Sequence, residues 1–299
     1  MQRLAIAYWF AKCAFSALVL LFACGVATAW FGSGLQLPSK TTRELIAFVL
    51  NRYVREPVPA VVLVGSSLTF QLSEEFFAIH SLRNLGIPGG SPVTGLEIVA
   101  NSSRLPKIIL VEANVLSRSI DTSLVERYSG IGAAGPLFFR PVKAAIAGYE
   151  GWRHPPPSQV QVSTELNTEL NRLLAKPPSD FDNRVYTDRA IQQFYDEDPT
   201  VAARMNVERI EQLMRSVEQR GVRLLLFELP YLAPLEESRF AKITSEIVHA
   251  KFSDPDRWLR IDFDRKELRW ADGVHLDARS SLIIARSMDK TLSSLLRSL

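Results

Sequence analysis

The chain has 299 residues, 47% of them hydrophobic, and a formal net charge of +3. That length fits one large domain or two small ones and is long enough to bury a core of its own. Its charges form no long run of one sign and no basic stripe, which argues against nucleic acid as a partner.

The N-terminus differs from the rest. "LAIAYWFAKCAFSALVLLFACGVATAWFG" is almost continuously apolar, with Lys12 as its only charge. A helix of roughly 20 such residues crosses the hydrocarbon core of a bilayer. Residues 1–31 are therefore read as a membrane anchor or signal segment. Arg3 and Lys12 precede most of the apolar run, so the positive-inside rule keeps that end in the cytoplasm and puts the remainder outside, in a periplasm or at a cell surface. Three readings fit: an uncleaved anchor, a signal cut after Ala27-Thr28-Ala29, and a lipoprotein cut before Cys24. Phe22 is bulky for the lipoprotein signal and the apolar run continues past Cys24, so lipidation ranks last; of the other two, the anchor is preferred to the cleaved signal. Both cysteines, Cys13 and Cys24, lie here. The exported part then has no disulfide, thiolate metal site or cysteine nucleophile.

A Gly/Ser/Pro linker (32–39) leads to the second unit, 40–299. A helix is predicted over 41–54, with Leu45, Ile46, Val49, Leu50 and Tyr53 on one face. Short apolar runs at 60–64, 107–111, 222–227 and 258–261 read as strands, and 83–85 as a fifth, shorter one. Helical patterns occupy 73–79, 93–103, 201–219, 235–251 and 278–298. Strands alternating with helices predict an α/β three-layer sandwich around a mostly parallel sheet. The span 119–200 breaks this rhythm. It holds "GIGAAGP", "HPPPSQVQ", a helix near 162–175 and "KPPSDFDNR", and reads as an insertion that shapes a cleft at the strand ends.

The first strand stops on two serines, "VVLVGSSLTFQLSE" (61–74). A serine just past the C-terminal end of a parallel strand exposes its hydroxyl to the ligand crevice. Taken alone, Ser66 or Ser67 reads first as a plain cap of the helix that follows. The far end of the chain favours chemistry. In "RWADGVHLDARSS", Asp272 stands three residues before His275, in a polar loop ahead of the last helix. A carboxylate so placed holds a histidine ring that takes a proton from a serine hydroxyl. His80 and His154 have no such neighbour, and His249, although three residues after Glu246, lies within a predicted helix rather than a loop. Two further stretches sit at strand ends. "NLGIPGGSP" (84–92) is a glycine-rich turn whose amides suit an oxyanion, and "IILVEANV" (108–115) sends Asn114 toward the same crevice. Ordinary turn chemistry explains both as well.

Together these four stretches resemble the SGNH or GDSL-type hydrolases. The family's Gly-Asp-Ser-Leu block reads Gly65-Ser66-Ser67-Leu68, which matches Ser67 to the nucleophile and puts Ser66 in place of the aspartate. The Gly-Ser-Ser form is similar to that of membrane-anchored acyl-transfer members. The Asn-x-x-Ile-x-Gly block reads Asn84-Leu85-Gly86-Ile87-Pro88-Gly89, matching Gly89 to the oxyanion-hole glycine. The Gly-x-Asn-Asp block reads Glu112-Ala113-Asn114-Val115, where only Asn114 matches. The Asp-x-x-His block is Asp272 and His275.

The resemblance implies a flavodoxin-like SGNH fold and a Ser67–His275–Asp272 triad. It implies an oxyanion hole of the Ser67 and Gly89 amides with the Asn114 side chain, and a loop-positioning role for Ser66. Neither metal nor organic cofactor is implied. The implied activity is that of an extracytoplasmic esterase or O-acyltransferase on acyl esters of cell-envelope carbohydrate, in some relatives beside a multi-spanning acyltransferase partner. Tyr149, Trp152, Trp258 and Trp270 are the aromatics available to stack on sugar rings, although aromatic residues more often belong to a core. A secreted lipase or thioesterase, or a degenerate SGNH scaffold that binds glycan or a partner protein, is the alternative.

Overall fold

A computed structural model describes residues 2–31, 42–129, 149, 153 and 159–298. The linker 32–39, "GIGAAGP", His154 and Trp152 lie outside them. The first element, α1 (Gln2–Phe31), contains an 18-residue window, Ile6–Ala23, of mean hydropathy 1.8, none of it buried. Lone apolar side chains on a surface are ordinary, but a whole exposed apolar helix is what a membrane anchor or signal sequence presents.

The aliphatic runs form a parallel sheet because each is buried on both faces. Four strands, β1 (Val61–Gly65), β2 (Leu82–Gly86), β3 (Ile108–Glu112) and β4 (Arg223–Phe227), stand in the order β2-β1-β3-β4. All pairings are parallel, with Val61 opposite both Leu82 and Ile108, and Ile108 opposite Arg223. The period of two along a strand sends alternate side chains to opposite cores. Val62, Val64, Ile109, Val111, Leu224 and Leu226 meet α2 (Thr42–Arg55), α4 (Pro92–Ala100), α5 (Thr122–Tyr128), α8 (Thr200–Glu218) and α10 (Arg239–Lys251). Val61, Leu63, Ile108, Leu110, Leu225 and Phe227 meet the other layer, with α3 (Ser67–Phe70), α7 (Arg184–Asp196), α9 (Ala233–Glu236) and α11 (Ala278–Ser298). The remaining helix, α6 (Gln159–Ala175), packs on α11. The described residues thus form an α/β fold of three layers.

Several predicted boundaries change. The 258–261 run keeps a single bridge, Trp258 to Leu226, with one amide bond from Leu259 N to Leu226 O of 2.8 Å. The chain then turns to the helical layer, where Asp262 N donates to Ser287 Oγ at 2.9 Å. The helix predicted over 73–79 is one 3-10 turn, Glu74–Phe76. Ser73 caps nothing, and Glu74 is held to β2 by Asn84 N at 3.0 Å and by Arg83, and to α2 by Arg52. The pattern over 235–251 divides into α9 and α10, because Ser238 caps the second helix through Ala241 N. Within 119–200 the structure adds α5 and α7. The pattern in α7 is weak because only Thr187 and Phe194 are buried, while Val185, Tyr186 and Tyr195 are exposed.

Candidate active site

The end of β1 separates the two serines by orientation. Extended backbone turns alternate side chains to opposite sides, so at most one of a neighbouring pair faces the crevice. Ser66 is 2% exposed and caps α3, its Oγ accepting from Leu68 N at 3.2 Å. Ser67 opens α3 and is partly exposed. Gly65 before them has no room for a side chain, since a Cβ there would collide with Thr69 and the carboxyl of Glu112.

The partner loop precedes α11. Trp270 and Leu276 form an antiparallel bridge, and Ala271 N donates to His275 O at 2.8 Å, closing 271–275 into a tight hairpin-like loop. Its turn needs Gly273, which has φ +86°, a region open to glycine and strained for other residues. The Asp272 carboxylate accepts from the amides of Val274 and His275 at 3.0 and 2.8 Å through one oxygen. Its other oxygen lies 2.7 Å from His275 Nδ1. The loop is also held from outside. Leu232 N donates to Gly273 O at 3.1 Å, and Asn183, from the 119–200 span, donates to Trp270 O at 2.6 Å.

These elements bring Ser67, His275 and Asp272 into one hydrogen-bonded chain. His275 Nε2 lies 2.8 Å from Ser67 Oγ. An ionised carboxylate only accepts, so Asp272 requires the proton on Nδ1, and the lone pair on Nε2 then faces the serine hydroxyl. Partial burial pushes the Asp272 carboxyl up, but the His275 ring and the two loop amides outweigh it and hold the group below the usual carboxylate range. Asp272 is thus ionised in the range where histidine titrates.

The other expected site residues fall differently. Gly89 lies exposed in the turn between β2 and α4, with φ +73°. Among the described residues, neither its amide nor that of Ser67 has an acceptor. Asn114 is buried, and both ends of its side chain engage the Leu229 backbone: Nδ2 donates to the carbonyl at 2.8 Å and Oδ1 accepts from the amide at 2.7 Å. One Nδ2 hydrogen remains for another partner. Asn84 clamps the far side of the serine turn, donating to the Thr69 and Leu72 carbonyls at 2.7 Å each and accepting from Gly86 N at 2.8 Å.

Sequence reasoning missed the environment of Glu112. Its carboxyl is fully buried and accepts from Ser66 N, Ser66 Oγ, Thr69 N and Thr69 Oγ1. The one available signal was a charged residue ending an otherwise aliphatic strand. Burial pushes this carboxyl up, and the four donors pull it partly back.

Two of the four aromatics available to stack on sugar rings are packed, as aromatic residues more often are. The Trp270 indole donates to Pro230 O at 2.9 Å, and Trp258 donates to Phe252 O at 2.7 Å while stacking on His249. Tyr149 is half exposed. His80 is exposed, and His249 lies 3.2 Å from Glu228, so neither joins the site. In comparisons with known proteins, no family model and no curated protein matches the chain.

Proposed function

We propose that the chain is an extracytoplasmic serine esterase or O-acyltransferase of the SGNH hydrolase kind, acting on acyl esters of cell-envelope carbohydrate. The observation that carries this reading is the chain of contacts from Ser67 Oγ to His275 Nε2 at 2.8 Å and from His275 Nδ1 to Asp272 at 2.7 Å. It stands at the C-terminal end of a parallel strand, where α/β folds take their ligands.

The chemistry follows from the donors and acceptors present. Ser67 Oγ attacks the ester carbonyl carbon while His275 Nε2 takes the hydroxyl proton. Asp272 stabilises the imidazolium that forms. The carbonyl oxygen becomes an oxyanion, for which the unpartnered amides of Ser67 and Gly89 and the remaining Asn114 hydrogen are the donors. The bond from carbon to the leaving alkoxy oxygen then breaks, and that oxygen takes the proton from His275. Acyl-Ser67 remains. A water molecule or a sugar hydroxyl repeats the steps in reverse, giving a free acid or a new ester.

The exposed apolar α1 supports a membrane location, and Arg3 and Lys12 support a cytoplasmic N-terminus with the site outside. The carbohydrate substrate and a multi-spanning acyltransferase partner rest on the resemblance to membrane-held relatives. A serine-directed fluorophosphonate probe tests the reading. The wild-type protein is expected to be labelled and Ser67→Ala is not. An unlabelled wild type would mean a scaffold that binds without turnover. A preference for long acyl chains over acetylated sugar would make it a lipase or thioesterase.

A further inference from the structure

Among the described residues, Glu112 is the one buried carboxyl at the site that the triad does not use. A carboxyl is a poor filler of a core, because burying it without hydrogen bonds is costly. Among the described residues no lysine, arginine or histidine pairs with it. Its partners are instead the residues on either side of the nucleophile: Ser66 N at 2.9 Å, Ser66 Oγ at 2.7 Å, Thr69 N at 3.1 Å and Thr69 Oγ1 at 2.5 Å. The four contacts tie the entry and the first turn of α3 to the end of β3, with Ser67 held between them. Gly65 leaves the space the carboxyl occupies.

We propose that Glu112 is the positioning residue of the Ser67 turn, supplying from β3 the carboxyl that the turn lacks at Ser66, so that positions 66 and 112 form an exchangeable pair. The proposal rests on Ser67 being the nucleophile. Its physical basis is helix capping. Ser66 is the N-cap of α3, and an aspartate at an N-cap accepts from the second and third amides of its helix, here Leu68 and Thr69. Glu112 already takes the Thr69 amide from the sheet side and leaves Ser66 only that of Leu68. One carboxyl satisfies the turn from either position. Two would sit in contact in a buried space and repel or force protonation.

Four variants test this: Glu112→Ala, Glu112→Gln, Ser66→Asp, and Ser66→Asp combined with Glu112→Ala. Each is measured by fluorophosphonate labelling rate, by kcat and KM on a simple acetyl ester, and by melting temperature. Glu112→Ala is expected to slow labelling at least about tenfold, with the loss in kcat and KM within about twofold, because the nucleophile is misplaced while the binding surface is intact. Glu112→Gln recovers most of that loss. Its amide oxygen takes the Ser66 and Thr69 amides, and its NH2 donates to Ser66 Oγ. Ser66→Asp alone lowers the melting temperature. The double variant melts above both single variants and labels within about threefold of wild type. Wild-type labelling by Glu112→Ala overturns the proposal, as does a glutamine variant and a double variant no faster than the alanine variant. If the wild type itself is not labelled, the esterase reading falls. The melting temperatures then decide the pair by themselves: recovery in the double variant supports it, and additive losses overturn it.

Discussion

Ser67 Oγ and His275 Nε2 are separated by 208 positions in the chain and by 2.8 Å in space. Each is set by its own local device, Ser67 by the abrupt turn after β1 and His275 by the Asp272 loop before α11. The parallel sheet and the packing of α11 on its face bring the two devices together.

Removing members of this chain should separate their roles. Ser67→Ala and His275→Ala are each expected to abolish ester turnover and probe labelling. Asp272→Asn should keep the loop fold but lose about 10³–10⁴-fold in kcat, since an amide at that place permits the wrong histidine tautomer. Steady-state rates on an acetyl ester check this. Wild-type turnover by Asp272→Asn would mean that the carboxylate does not orient the ring.

The two carboxyls predict opposite slopes of stability with pH. Asp272 is held below its ordinary value, so its contribution is present above about pH 4 and is lost as pH falls through the lower folded value. Glu112 is raised, so the stability linked to its proton is complete below the ordinary carboxylate value and is lost as pH rises through the folded value. Melting curves from pH 3 to 8 should therefore show the advantage of wild type over Asp272→Asn shrinking toward acid. The standing of wild type against Glu112→Gln should worsen toward neutral pH. Parallel curves for either pair would contradict the corresponding direction.

Ser66 is expected to be structural and Ser67 chemical. Ser66→Ala should remain labelled by the probe but lose about 1–3 kcal/mol of stability, because a buried hydroxyl that bonds both Glu112 and Leu68 N disappears. Peptide mapping of the labelled protein locates the adduct. An adduct on Ser66, with Ser67 dispensable, would shift the whole register by one.

Asn114→Ala should have two effects. Turnover should fall with KM little changed if the remaining Nδ2 hydrogen serves the oxyanion. The melting temperature should fall as well, because both bonds to the Leu229 backbone are lost. A drop in stability with unchanged kcat would make Asn114 a brace and nothing more.

Topology has its own check. A periplasm-active reporter fused after Leu299 should work, and a cytoplasm-active one should not, because Arg3 and Lys12 hold the N-terminus inside. Activity of the cytoplasmic reporter would reverse the assignment.

Local signals in the sequence were enough for much of this protein. The strands at 61–65, 108–112 and 223–227 follow from aliphatic runs, and α11 appears at its predicted bounds because its amphipathic period runs unbroken. The Asp272–His275 contact was legible because both residues sit in one short loop. The match of the Gly65–Leu68 block to the family pattern pointed to Ser67, and the structure buries Ser66 and leaves Ser67 partly exposed; the tertiary structure alone decided what fills the space beside Gly65 and that Asn114 is held by Leu229. It also reduced the 258–261 run to a single bridge and ordered α7 against the histidine loop. Helix period, strand alternation and turn chemistry act within a few residues and leave a mark on composition. The bonds of Glu112 to Ser66, of Asn114 to Leu229 and of Asn183 to Trp270 join residues 46, 115 and 87 positions apart, and they exist only once the sheet and the helices and loops packed on it have assembled.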